Sequence, residues 1–204
     1  MNFSSKLIEE SVSAFASLPG IGKKTALRLV LYLIQQDKSE TEAFTAALSK
    51  MRGQIRICKI CHNISDHELC NVCSDPRRDR SLVCVVEGVR EVMAIEGTGQ
   101  YKGLYHVLGG LISPIEGVGP QDLNIASLLE RTKQGEIKEV IMAITPNVEG
   151  DTTIYYLSKK LADYGVKISS LARGISFGGE LEYADEVTLG RSIVNRIPYH
   201  TTNG

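Results

Sequence analysis

Cys58-Lys-Ile-Cys61 and Cys70-Asn-Val-Cys73 set two C-x2-C pairs eight residues apart, and no other feature of the chain restricts its folding as strongly. A two-residue gap lets both thiolates of a pair face one centre, and four thiolates complete a tetrahedral shell with no open position. The surrounding segment, residues 54–76, is polar and too short to build an apolar core. A bound metal must therefore supply much of the local folding free energy, on the order of 10 kcal/mol. Zinc in a structural role is the expected ion. An iron–sulfur cluster or mononuclear iron suits the same ligands, and disulfides are the alternative that a reducing cytoplasm disfavours. His62 and His67 lie within or beside the knuckle, but with four well-spaced cysteines at hand they read as neighbours of the shell or as exposed. Cys84, embedded in Leu82-Val-Cys-Val-Val86, reads as a small buried apolar residue.

The knuckle divides a chain of 204 residues into unlike parts. Residues 1–53 show helical periodicity and no convincing strand. Beyond residue 80, short β-branched runs at 81–86, 104–108, 139–144 and 166–170 alternate with helical patterns such as 121–133 and 152–164. Continuous apolar strands separated by helices predict a buried, mostly parallel sheet over 80–170. The remaining residues, 171–204, read as a last strand-helix segment. The expected class is thus α+β and multi-module. No apolar run approaches the ~20 residues of a membrane helix. Met1 to Lys6 leads directly into Leu7-Ile8-Glu9-Glu10 without a signal-peptide pattern, so the expected compartment is the cytoplasm.

In the first part, Leu18-Pro-Gly-Ile-Gly-Lys-Lys-Thr-Ala26 lies between two helical patterns. Gly20 and Gly22 permit the positive φ of a tight connection. Ala26, Leu29, Val30 and Leu33 form the apolar stripe of the second helix, while Lys24 and Arg28 share another face. Backbone N–H groups at a helix start, beside Lys23 and Lys24, suit a phosphate oxygen and require no base. A plain connection with solvated lysines is the alternative. A P-loop is excluded, because G-x-x-x-x-G-K-[ST] requires glycine at Ser17 and a hydroxyl residue at Lys24. The segment resembles the helix-hairpin-helix motif of sequence-independent DNA-binding proteins.

Net charge is −1 at pH 7, a poor match for a polyanion partner. The sum conceals an asymmetry. Residues 1–80 carry 12 Lys and Arg against 9 Asp and Glu, whereas residues 81–204 carry 11 against 15. Twelve aromatic residues and no Trp argue against an extended base-stacking platform. In the acidic part, Glu87 follows the first strand run and Glu149-Gly-Asp151 follows the third, with Pro146 and Asn147 making the exit loop. Loops after parallel strands gather at one edge, where carboxylates suit Mg²⁺. Exposed loop acids, or Asp151 complementing a helix dipole, are the alternative.

A glutamate after one strand and acid-x-acid after another resembles the Toprim domain of topoisomerases, primases and related nucleases. The usual second element there is Asp-x-Asp. Glu149 replaces the first Asp, which points to weak Mg²⁺ binding or to partner docking. Hairpin, knuckle and Toprim-like domain in this order resemble the bacterial recombination mediator family RecR over essentially the whole length. Further stretches similar to that family are Val86-Glu-Gly88, Tyr105 to Pro114, Gly117-Val-Gly-Pro120 and Gly178 to Leu189. The resemblance implies a non-enzymatic DNA-repair scaffold acting with RecO and, in many bacteria, RecF to load RecA on single-stranded gaps. It implies assembly as dimers and tetrameric rings, with Gly20, Gly22, Lys23, Lys24 and Arg28 toward DNA. It assigns zinc to Cys58, Cys61, Cys70 and Cys73, and weak Mg²⁺ or partner docking to Glu87, Glu149 and Asp151. A Toprim-type Mg²⁺-dependent nuclease or primase-like enzyme is the alternative, and an interaction protein that never touches DNA is a third. A topoisomerase would need a nucleophilic tyrosine from a further domain; Tyr155, Tyr156 and Tyr199 read as packing or interface residues.

Overall fold

The computed structural model describes residues 5–172, 174–175 and 178–198. Tyr199 and part of the 171–204 segment lie outside the described residues. Two compact units follow one another, Met1–Ile55 and Arg56–Gly204.

The first unit is helical: α1 (Lys6–Ala16), α2 (Lys23–Gln35) and α3 (Lys38–Gln54). Its core is small. Val12 of α1 packs with Ala26 and Val30 of α2, and Ile8, Phe15, Ile21 and Leu27 close around them. Leu29 and Leu33 are only half-buried, so the apolar stripe of α2 is narrower than its sequence pattern suggests. On α3, Phe44, Leu48 and Met51 recur at helical spacing yet stay exposed.

The second unit opens with the cysteine knuckle, in which β1 (Arg56–Ile57) and β2 (Ile64–Ser65) pair antiparallel ahead of the short α4 (Asn71–Ser74). A four-stranded sheet follows, built from β3 (Asp79–Val86), β4 (Gly103–Val107), β5 (Glu139–Ala143) and β6 (Lys167–Ser170) in the order β4-β3-β5-β6. All three pairings are parallel. Between the strands run α5 (Val89–Gly97), α6 (Ile125–Lys133) and α7 (Val148–Leu161).

Strand alternation sorts the core into two layers. Val83 and Val85 of β3, Leu104 of β4, and Val140 and Met142 of β5 face Ile125 and Leu128 of α6 and Leu157 and Leu161 of α7. Cys84, Val86, Tyr105, Val107 and Ala143 point the other way, toward Val92 of α5. Helices on both faces explain why the strands read as unbroken apolar runs. After β6, only α8 (Glu186–Val194) and a short 3-10 turn at Leu181–Tyr183 are regular among the described residues, and α8 buries none of its residues.

Two sequence expectations shift. Helix α7 begins at Val148 rather than at 152, because Asn147 caps it by accepting from the Gly150 N–H at 2.7 Å. Glu149 and Asp151 therefore lie in the first helical turn, not in a loop. Gly20 takes a left-handed φ of 80°, but Gly22 has a φ of −80° in the extended region and serves as the N-cap of α2.

Candidate functional site

All four knuckle cysteines are buried, and their Sγ atoms lie within 4.8 Å of one another. A tetrahedral zinc with bonds of about 2.3 Å separates its sulfurs by roughly 3.8 Å. Cys61 Sγ and Cys70 Sγ are 3.5 Å apart, so the donors fit that ion with little movement. Backbone geometry holds them there. The Cys70 N–H donates to Cys58 Sγ at 3.4 Å and the Cys73 N–H to Cys70 Sγ at 3.5 Å. His62, at a left-handed φ of 61°, turns the chain away after Cys61. Sulfur–sulfur hydrogen bonding lowers Cys70 and raises Cys61 and Cys73. The bound ion would be enclosed by protein ligands, which suits a folding role.

The knuckle is tied to the sheet by polar and apolar links. The Val107 N–H donates to the Cys61 carbonyl at 2.8 Å. His62 Nε2 lies 2.8 Å from Ser127 Oγ, and its ring meets that of His106 edge-on at 5.3 Å. His106 is fully buried and its Nε2 donates to the Asn124 carbonyl at 2.7 Å. Burial pushes its imidazole down to about 4, so it is neutral near pH 7. Val72 of α4 packs against the knuckle and both layers of the sheet core. Arg131 of α6 shares a concavity of about 450 Å³ with Cys73, and its Nη1 donates to the Tyr105 carbonyl at 2.8 Å. That guanidinium can offset part of the −2 charge of a zinc tetrathiolate. Residue spacing gives no hint of Arg131, because it arrives from a helix more than fifty residues downstream of the last knuckle cysteine.

In the helical unit, no side chain caps the start of α2, so its first N–H groups remain open to an anion. Lys23 and Lys24 occupy its first two positions, and α2 contains no acidic residue. Lys24, Leu27, Arg28, Leu31, Tyr32 and Gln35 line one shallow concavity of about 420 Å³ along the helix. Lys23, Lys24 and Arg28 are exposed.

The acidic residues occupy the other chemically suggestive place. Strand order reverses direction at β3, which pairs with β4 on one side and β5 on the other, so a crevice opens beyond the carboxyl ends of β3 and β5. Glu87 and Glu149 line it together with Glu116 and Asp122, around a concavity of about 680 Å³. Asp151 is not among the lining residues. Glu87 Oε1 accepts from the Thr145 N–H at 2.5 Å, which binds the exit of β3 to the exit of β5. Gly150 permits the tight start of α7 beside that link, since a Cβ there would lie 1.9 Å from the Thr145 carbonyl oxygen. Among the described residues, the four cysteines are the only group of three or more donor side chains converging at metal-binding distance.

Comparison with known families agrees with this arrangement along the chain. Residues 8–52 match the RecR helix-hairpin-helix family, and residues 55–75 match the RecR zinc finger domain of the four-cysteine type. Residues 81–172 match the Toprim domain, and residues 174–197 match the RecR C-terminal family. Among curated relatives, the recombination protein RecR of Phocaeicola vulgatus is 59% identical over 194 residues, 95% of each chain. That of Bacteroides fragilis is 56% identical over 200 residues, 98% of each chain. The protein of the same name from Parabacteroides distasonis is 55% identical over 201 residues, 98% of this chain and 97% of its own. Identity of this degree across all four modules leaves one conclusion: the chain belongs to the RecR family of recombination proteins.

Proposed function

We propose that this protein is a non-enzymatic, sequence-independent DNA-binding mediator of recombinational repair. On this reading it acts with RecO, and where present RecF, to help load RecA on single-stranded gaps. The observation that carries the reading is the uncapped start of α2, where open N–H groups, Lys23, Lys24 and Arg28 meet on a helix without acids. Such a surface grips phosphate and reads no base edge. Gly20 makes the turn and Gly22 supplies the side-chain-free approach. The functional modules are 1–53 for DNA, 54–76 for zinc, 80–170 for the Toprim-like domain and 171–204 for assembly.

The crevice at Glu87 and Glu149 serves partner docking or weak Mg²⁺ binding, with Asp151 at its margin. Engagement of Glu87 by the Thr145 N–H supports a non-catalytic role, because a carboxylate held by backbone is less available to metal. Few phosphate contacts per copy favour a dimer or tetrameric ring that multiplies them. Exposed apolar side chains on α8, Val187, Ile193 and Val194, support assembly through the C-terminal segment.

The test replaces Lys23, Lys24 and Arg28 together by Glu and measures DNA affinity across a salt series. Each lost phosphate contact should lower the slope of log K against log salt by about 1. The variant should retain zinc and its far-ultraviolet dichroism while losing DNA. Binding equal to the parent at every salt concentration would remove the hairpin from the interface. Mass in solution with and without DNA tests the ring, and incubation with Mg²⁺ or Mn²⁺ and several DNA forms tests the absence of cleavage.

A further inference from the structure

Tyr32 stands out on α2. It is 58% exposed, and Leu31 beside it is 45% exposed, on a helix whose opposite side already supplies the buried Ala26 and Val30. Lys24, Arg28 and Tyr32 follow one another at four-residue intervals and line the same concavity. At 1.5 Å per residue, the row from Lys24 to Tyr32 is about 12 Å long. Neither cation has an ion-pair partner among the described residues. An apolar protein surface seated here would have to strip water from two unpaired cations, which is costly. A nucleotide carries an anion and a flat apolar ring in one unit, and so matches both halves of the groove.

We propose that Tyr32 is a nucleobase contact, stacking on an unpaired base of a DNA strand whose phosphates lie on Lys24 and Arg28. The proposal rests on the reading of α2 as the DNA-facing helix and adds to it a preference for DNA with unpaired bases. In a duplex each base is stacked on both faces, so the ring has no free partner. In a gap or a single strand it does. The row then distinguishes strand states without reading sequence, because every base presents a π face.

The test uses the full-length protein, loaded with zinc, and fluorescence anisotropy with three probes of equal length. These are labelled oligo(dT), the same chain built from abasic sites, and a duplex. Tyr32→Ala is expected to weaken oligo(dT) binding about fivefold or more. It should leave the abasic chain and the duplex unchanged, as well as the salt slope. Tyr32→Phe should bind like the parent, because it retains the ring. Equal loss on oligo(dT) and the abasic chain, or no loss on either, overturns the base contact. So does a change in solution mass for Tyr32→Ala, which would show that a second copy of the chain covers this face. The double variant Lys24→Gln, Arg28→Gln separates the base contact from the phosphate grip beneath it. If it holds all three probes like the parent, the DNA-facing reading of α2 fails and Tyr32 falls with it.

Discussion

Replacing Gly150 by Ala tests how tightly the start of α7 is seated. Two effects oppose each other. Alanine favours a helix over glycine by up to about 1 kcal/mol, and less in a first turn. Against this, the new Cβ would stand 1.9 Å from the Thr145 carbonyl oxygen and 3.0 Å from Asn147 Oδ1. A relaxed carbon–oxygen contact is about 3.3 Å or more, so helix and loop must part by more than an ångström. Overpacking of this kind costs about 1–3 kcal/mol, and a weakened Asn147 cap adds about 1. The steric side wins, with a net loss of about 2–3 kcal/mol. With a urea slope of about 2 kcal/mol per molar, the midpoint should fall by about 1 M. Tyrosine signals suit the assay, because Tyr32 is the only tyrosine in the first 55 residues and seven of the eight lie beyond. Gly97, the last residue of α5, provides the control, since a Cβ there would meet nothing within 4 Å. Gly97→Ala should hold or raise the midpoint. A Gly150→Ala protein as stable as the parent would refute the claim that backbone closeness fixes this crevice.

Three other outcomes are expected. Cys70→Ser should abolish the zinc content of about one ion per chain, read by atomic emission, and lower thermal stability in the same preparation. Arg78→Met should cost about 2–4 kcal/mol in urea unfolding, because Arg78 and Glu96 are only 15% and 30% exposed and Tyr105 also donates to Glu96. The Arg78 guanidinium holds Glu96 below the usual carboxylate range. That contribution is present above about pH 4.3 and vanishes as pH falls through the lower folded value, so parent and variant should converge in acid. His106 titrates near 6.5 when unfolded but is held at about 4 when folded. The unfolded chain therefore binds more protons between those values, and stability should decline from pH 7 toward pH 4 by up to about 3 kcal/mol. His106→Gln should flatten that dependence in thermal melts.

Features governed by local pattern are legible in the sequence. The strand runs at 81–86, 104–108, 139–144 and 166–170 lie within a residue or two of the observed strands, since burial on both faces leaves an unmistakable apolar run. The cysteine ligand set is equally plain, because its spacing is itself the geometry. What the sequence hides depends on long-range contact. Glu149 and Asp151 read as loop acids because Pro146 and Asn147 look like a turn, yet Asn147 acts as a cap and starts the helix four residues early. Helix α5 is short and sits between two strong strand patterns that mask it. Arg131, Asn124 and His106 give no signal, since their significance comes from what the fold brings beside the knuckle. Tyr32 is hidden by whole-chain aromatic content, which says nothing of its position along α2.

The seating of the knuckle on β4 has a consequence for protein quality. Strand β4 is the outermost of its sheet on that side, and its outward backbone groups would otherwise invite another chain to pair. Several are engaged in turn: the Gly103 carbonyl by Arg78, the Tyr105 carbonyl by Arg131, the Val107 N–H by Cys61 and the Val107 carbonyl by Asn124. The metal-binding loop thus covers the Val107 N–H at the end of this edge, while Arg78, Arg131 and Asn124 engage the carbonyls. Oxidation of the thiolates would do more than loosen a small module: it would free the Val107 N–H at the end of this edge for pairing with another chain, so aggregation should accompany zinc loss.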